Sequence, residues 1–76
     1  MVTILSQNED ILMETSELRY NQKEEQHSVL AYDTGGVYRV LGSYDSKERA
    51  LYIIREIFNK QKSEPHMKLI YEMPKK

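Results

Sequence analysis

The residues of this 76-residue chain with the most chemical potential are two histidines, twelve acidic residues and a few serines and glycines. Their spacing decides what they can do. Glu24 stands three residues before His27 in Glu24-Glu25-Gln26-His27, which on a helix would turn a carboxylate and an imidazole toward one metal ion. Zinc takes four ligands and no others lie close by in sequence, so no metal site is expected. His66 lies between Pro65 and Met67, a loop setting without the orienting partner that acid–base catalysis needs. Ser6, Ser28, Ser43 and Ser46 have no nucleophile-elbow context, and Ser46 fits the first turn of a helix. Gly35, Gly36 and Gly42 do not form a phosphate loop, because no Gly-Lys-Ser/Thr element follows a strand into a helix. Glu9, Asp10 and Glu14 read as loop carboxylates. The chain is therefore expected to carry no catalytic residue, no metal and no cofactor, and not to be an enzyme.

What remains is non-covalent recognition, and the elements that would position it are legible. Ser28 to Asp33, Thr34-Gly35, and Gly36 to Leu41 read as a hairpin, with Gly35 and Gly36 supplying the positive φ angles of a tight turn. A turn centred there pairs Tyr32 with Val37, Ala31 with Tyr38, Leu30 with Arg39 and Val29 with Val40. Val29, Ala31, Tyr38 and Val40 are then expected to face the core. Leu30, Tyr32, Val37, Arg39 and Leu41 share the opposite face, more apolar than a merely solvated surface. Either this face is an interaction site, or the N-terminal hairpin curls over and buries it.

Behind the hairpin stands one helix. Asp45 with Glu48 suggests a capping box, and the helix is expected from Ser46 to about Lys60. Ala50, Leu51, Ile54, Ile57 and Phe58 recur at helical spacing and are expected to be buried, with Ile53 at the flank and Glu48, Tyr52, Arg55 and Asn59 turned away. Arg55, Lys60 and Lys62 gather toward the end, and Pro65 bars continuation.

Val2 to Ser6 reads as a strand, Gln7 to Asp10 as a turn and Ile11 to Glu14 as a second strand. Between Thr15 and Gln26 helix and strand compete; a short strand over Leu18 to Tyr20 and a loop over Asn21 to Gln26 are favoured. Met67, Leu69, Tyr71 and Met73 alternate with Lys68, Ile70 and Glu72 as a last strand. The expectation is one domain over 1–76 of class α+β: a small antiparallel, mostly meandering sheet, one amphipathic helix on one face, and a strand after the helix.

Residues 1–45 hold eight acidic and three basic side chains, whereas 46–76 hold four acidic and eight basic. A compact domain can fold these halves together and pair their charges. No apolar run reaches the roughly 18 residues of a membrane span, and the start lacks a basic segment before an apolar core, so a cytoplasmic location is expected. Absence of cysteine is compatible with a reducing compartment.

Three blocks carry a resemblance: Ile4-Leu5-Ser6-Gln7-Asn8, Leu41-Gly42-Ser43-Tyr44-Asp45-Ser46-Lys47-Glu48-Arg49-Ala50, and Ile70-Tyr71-Glu72-Met73-Pro74-Lys75. In order and over nearly the whole chain, they resemble a group of small uncharacterised proteins of phages, prophages and mobile elements of Gram-positive bacteria. The resemblance implies a cytoplasmic accessory protein that binds host or phage proteins, and it carries no catalytic residue. The expected function is a non-enzymatic module that contacts a protein, or a second copy as a homodimer, through Leu30, Tyr32, Val37, Arg39 and Leu41. The alternative is a nucleic-acid binder that stacks bases on sheet tyrosines and holds phosphates with Arg55, Lys60 and Lys62.

Overall fold

Alternation in the opening residues produces a strand with one buried face, since Val2 and Ile4 are enclosed and Thr3 and Leu5 only half-covered. The computed structural model describes residues 2–64 and 69–76. Its elements are β1 (Val2–Leu5), β2 (Leu12–Thr15), β3 (Glu17–Lys23), β4 (Gln26–Tyr32), β5 (Tyr38–Tyr44), α1 (Lys47–Ser63) and β6 (Ile70–Glu72). The fold is α+β, as the patterning implied, with the antiparallel strands divided between two three-stranded sheets. One sheet has the order β2-β1-β6, with β2 antiparallel and β6 parallel to β1; the other is the antiparallel meander β3-β4-β5. Parallel pairing of the first and last strands needs a long crossover, and α1 supplies it.

Gln7 fastens the two sheets together. Its backbone N–H donates to the Leu41 carbonyl at 2.7 Å, and its side-chain oxygen accepts from the Ser43 N–H at 3.0 Å. Its amide nitrogen donates to the carbonyls of Ser43 at 3.2 Å and Lys75 at 2.8 Å. The residue after β1 thus occupies part of the edge of β5. Within β5 a methyl group on Gly42 would stand 2.7 Å from the Tyr44 hydroxyl, which itself donates to the Pro74 carbonyl at 2.9 Å. A side chain there would have to displace the Tyr44 ring.

The ambiguous stretch resolves into strand. β3 runs on to Lys23, and only Glu24-Glu25 turns, with Glu24 at φ 57°. The anticipated loop over Asn21 to Gln26 is therefore mostly ladder, because β4 offers partners as far as Gln26, opposite Lys23. His66 and Met67, expected in a loop and in the last strand, lie outside the described residues.

Helix α1 begins one residue later than the cap at Asp45 implied. Ser46, in extended geometry, accepts the Arg49 N–H on its hydroxyl at 3.1 Å, so serine is the cap and Asp45 stays exposed. The helix also runs three residues beyond Lys60, since nothing before Pro65 breaks it. Its buried face is Ala50, Ile53 and Ile57, with Ile54 half-buried, whereas Leu51 and Phe58 are exposed. The apolar positions cover a wider arc than one contact can bury. The sheets meet its Ile53 side, and Ile53 is core where it was expected at the flank.

Together with Val2, Ile4, Val29, Ala31, Leu41, Tyr44, Tyr71 and Met73, these helix residues form a single hydrophobic core. Both sheets and the helix contribute to it. No described helix is long and apolar enough to cross a membrane.

Candidate functional site

The β4–β5 loop determines which side chains share the outer face of the β3-β4-β5 sheet. Asp33 and Val37 close it, with the Asp33 N–H donating to the Val37 carbonyl at 2.9 Å, and Thr34, Gly35 and Gly36 lie between them. The Asp33 carboxylate accepts from the N–H groups of Gly35 at 2.8 Å and Val37 at 3.0 Å, while Gly36 takes φ 83°. A three-residue loop ending in a left-handed glycine is a common hairpin solution, but it holds one residue more than the two-residue turn the sequence suggested. Tyr32 accordingly pairs with Tyr38, Ala31 with Arg39 and Leu30 with Val40. A slip of one residue turns every side chain of β5 to the other face.

The face expected from the sequence therefore keeps its β4 members and exchanges its β5 members. Leu30 and Tyr32 share the outer face with Tyr38 and Val40, and with Glu17 and Arg19 of β3. Arg39 lies on the side of Ala31, and Val37 is an exposed loop residue. Leu41 is core, because a bulge places it as the extra residue between the pairs Leu30 with Val40 and Val29 with Gly42. Tyr38 and Val40, expected inside, are exposed. Leu30 is buried but stands apart from the core cluster, screened by its neighbours on the outer face.

These side chains form a layered surface. The Arg19 guanidinium lies 5.0 Å from the Tyr32 ring centre, and the rings of Tyr32 and Tyr38 are 5.8 Å apart with a 46° tilt. The Glu17 carboxylate accepts from Arg19 Nε at 2.6 Å. Arginine is thereby pinned over the aromatic pair, and its charge is balanced on the spot. Alternation in β3, where Glu17 and Arg19 recur at period two, was the signal that could have added them; the competing helix reading of this stretch hid it.

A second concave feature runs between the C-terminal half of α1 and β6. This groove of about 590 Å³ is lined by Tyr52, Arg55, Glu56, Asn59 and Lys60 on the helix side and by Leu69, Ile70 and Tyr71 opposite. The Tyr71 hydroxyl crosses to donate to Glu56 at 2.5 Å. Burial, then the Glu56 carboxylate that accepts its proton, raises the Tyr71 pKa well above its ordinary value of 10.0. The fold thus favours the neutral phenol. That contribution is fully present below the unfolded pKa, near 10, and is lost as pH climbs through the folded value. The urea midpoint is expected to hold steady from about pH 7 to 9 and to fall above about pH 10, less steeply in Tyr71→Phe. Tyr44, shifted upward by burial, accounts for a remaining slope. An unchanged slope in Tyr71→Phe would exclude Tyr71 as the source.

Of Arg55, Lys60 and Lys62, the first two line the groove wall and Lys62 does not. The Arg55 guanidinium lies 5.6 Å from the Phe58 ring centre. The serines have structural partners. Ser6 donates to Asp10 at 2.8 Å, Ser28 and Ser43 lie hydroxyl to hydroxyl at 3.1 Å across β4 and β5, and Ser46 caps α1. His27 sits in β4 with Nδ1 2.7 Å from the Tyr20 hydroxyl, whereas Glu24 is in the turn, so the helical spacing that would aim both at a metal does not arise. Among the described residues no three of His, Asp and Glu gather in a metal-holding cluster. Comparison of the chain with protein-family models, with curated proteins and with solved structures finds no match.

Proposed function

We propose that this chain is a non-enzymatic protein-interaction module that contacts a protein partner through the outer face of β3-β4-β5. The observation that carries this reading is the layered array Arg19, Tyr32, Tyr38 with Leu30 and Val40 beneath and beside it. Tyrosine and arginine contribute large buried area with a polar handle, and such residues dominate the energetics of protein contacts. The rigid strands beneath them reduce the ordering cost of binding. Charge separates this reading from nucleic-acid binding: Glu17 neutralises Arg19 at 2.6 Å, so the face offers no coherent positive stripe to phosphates. The resemblance to phage, prophage and mobile-element proteins supports a cytoplasmic accessory role directed at a host or phage protein.

The test is capture from a Gram-positive lysate with the tagged protein, before and after nuclease treatment, alongside Tyr32→Ala/Tyr38→Ala. A nuclease-resistant protein recovered in stoichiometric amount by the wild type is expected to be lost in the double variant. Each tyrosine is expected to contribute roughly 1 to 2 kcal/mol of binding, about a tenfold loss apiece. Circular dichroism should show the fold intact, because neither side chain belongs to the core cluster. Capture that is unaffected by the substitutions would move the site off this face. Recovery that depends on nucleic acid would instead favour Arg55, Lys60 and Lys62.

A further inference from the structure

The opposite charges of the two sequence halves are scarcely paired inside the fold. Among the described residues only two salt bridges form, Glu17 with Arg19 and Glu9 with Lys75, and only the second joins one half to the other. The remaining charge stays on the surface, and part of it borders two apolar patches.

The first patch is the outer face of β2-β1-β6. Thr3 stands between Glu14 and Ile70, and Leu5 stands between Leu12 and Glu72, so these six side chains share one side of the sheet. Leu12 at 66% and Ile70 at 72% are the most exposed large apolar residues described. Both ionisable groups in these two rows are carboxylates. The second patch is the solvent side of α1, where Leu51, Arg55, Phe58 and Lys62 recur at spacings of four, three and four residues and form one stripe. Leu51 and Phe58 are exposed; Arg55 and Lys62 between and beyond them are cations, and Lys47 and Glu48 border the stripe where the helix begins.

We infer that the acid-bordered face of β2-β1-β6 docks against the base-bordered stripe of α1 on a second copy of this chain, so that the protein associates head to tail. Charge selects this occupant. Either patch set against its own image would face like with like, whereas set against the other it brings Glu14 and Glu72 toward Arg55 and Lys62 around an apolar centre. Because the joined surfaces differ, each added copy leaves one patch of each kind open, the condition for a chain or a closed ring. Neither patch includes the tyrosine face of β3-β4-β5, so the inference stands independently of the proposed partner site. Patches of a few side chains each are smaller than a standard interface, which makes the association weak and salt-dependent.

Sedimentation velocity of the untagged protein, from about 20 μM to about 1 mM and at low and high salt, tests it. The wild-type mass is expected to rise with concentration past that of two chains and to fall back when salt is added. Glu14→Lys/Glu72→Lys and Arg55→Glu/Lys62→Glu, all at exposed positions, should each weaken association at least ~tenfold. Mixed in equal amounts, the two variants should form a complex that stops at two chains, since each retains one intact patch. A chain carrying all four substitutions should regain assembly. A wild type that stays monomeric throughout overturns the inference. So does either charge-reversed variant that associates as the wild type does, an outcome that would assign self-association to another surface.

Discussion

Ile53→Ala is expected to remove a large share of the protein's stability and lower its urea midpoint sharply, whereas Phe58→Ala on the same helix is expected to be nearly silent. Ile53 is 1% exposed and belongs to the hydrophobic core; Phe58 is 51% exposed. Truncating a buried isoleucine to alanine costs about 2 to 5 kcal/mol through lost transfer energy and the cavity left behind. A domain of this size commands only about 4 to 11 kcal/mol in total. Loss at Ile53 is thus comparable to the stability available, while removal of an exposed ring costs at most about 1 kcal/mol. The pair measures the rotation of the helix, because the periodicity alone placed Phe58 on the buried stripe and Ile53 at its flank. Urea melts of both variants decide the matter. Equal midpoints, or a larger loss at Phe58, would mean that α1 presents its other side to the sheets.

Leu41→Lys is expected to abolish folding, and Val40→Lys one residue earlier to be tolerated. Leu41 is 1% exposed in the core, and an ammonium there has no carboxylate among the residues of that cluster. Burial of an unpaired charge costs at least about 4 kcal/mol, most or all of the stability. Val40 is 48% exposed on the outer face, where a lysine stem can lie along the sheet and its head remain in water. The expected cost is below about 1 kcal/mol. This contrast reports the register of β5 directly, since the alternative two-residue turn would exchange the two environments. Amide proton dispersion and thermal melts of both chains provide the measurement; folded Leu41→Lys with unfolded Val40→Lys would restore the shorter turn.

The same register determines the composition of the proposed contact face. With β5 one residue out, Val37, Arg39 and Leu41 would stand beside Leu30 and Tyr32, and an unbalanced arginine would sit at the centre. With the observed pairing, Tyr38 and Val40 take those places, and the only arginine on the face is Arg19, held by Glu17. Around Tyr32 the face changes from one centred on an available cation to one that is aromatic and apolar, with Lys23 left at the far end of β3. That difference in charge is what sets protein recognition above phosphate binding in the functional reading.

Several features were legible in the residues alone because they depend on near neighbours. The strand pattern of Val2 to Leu5, the location of the glycine turn, the inward Val29 and Ala31 and the start of the helix within one residue all follow from alternation, turn chemistry and capping. So does the general class, one helix crossing over to a final strand. Tertiary structure decided the rest. Two consecutive glycines allow a loop of two residues or three, and the Asp33 carboxylate with the Leu41 bulge selects three. A broad apolar arc on α1 can be buried from either side, and the sheets that meet it choose Ile53 over Phe58. Thr15 to Gln26 becomes strand only because β4 lies alongside, and the acidic face of β2-β1-β6 exists only because the chain brings β6 back beside β1. Local sequence determines which conformations are cheap; partners distant along the chain determine which one is occupied and what it leaves exposed.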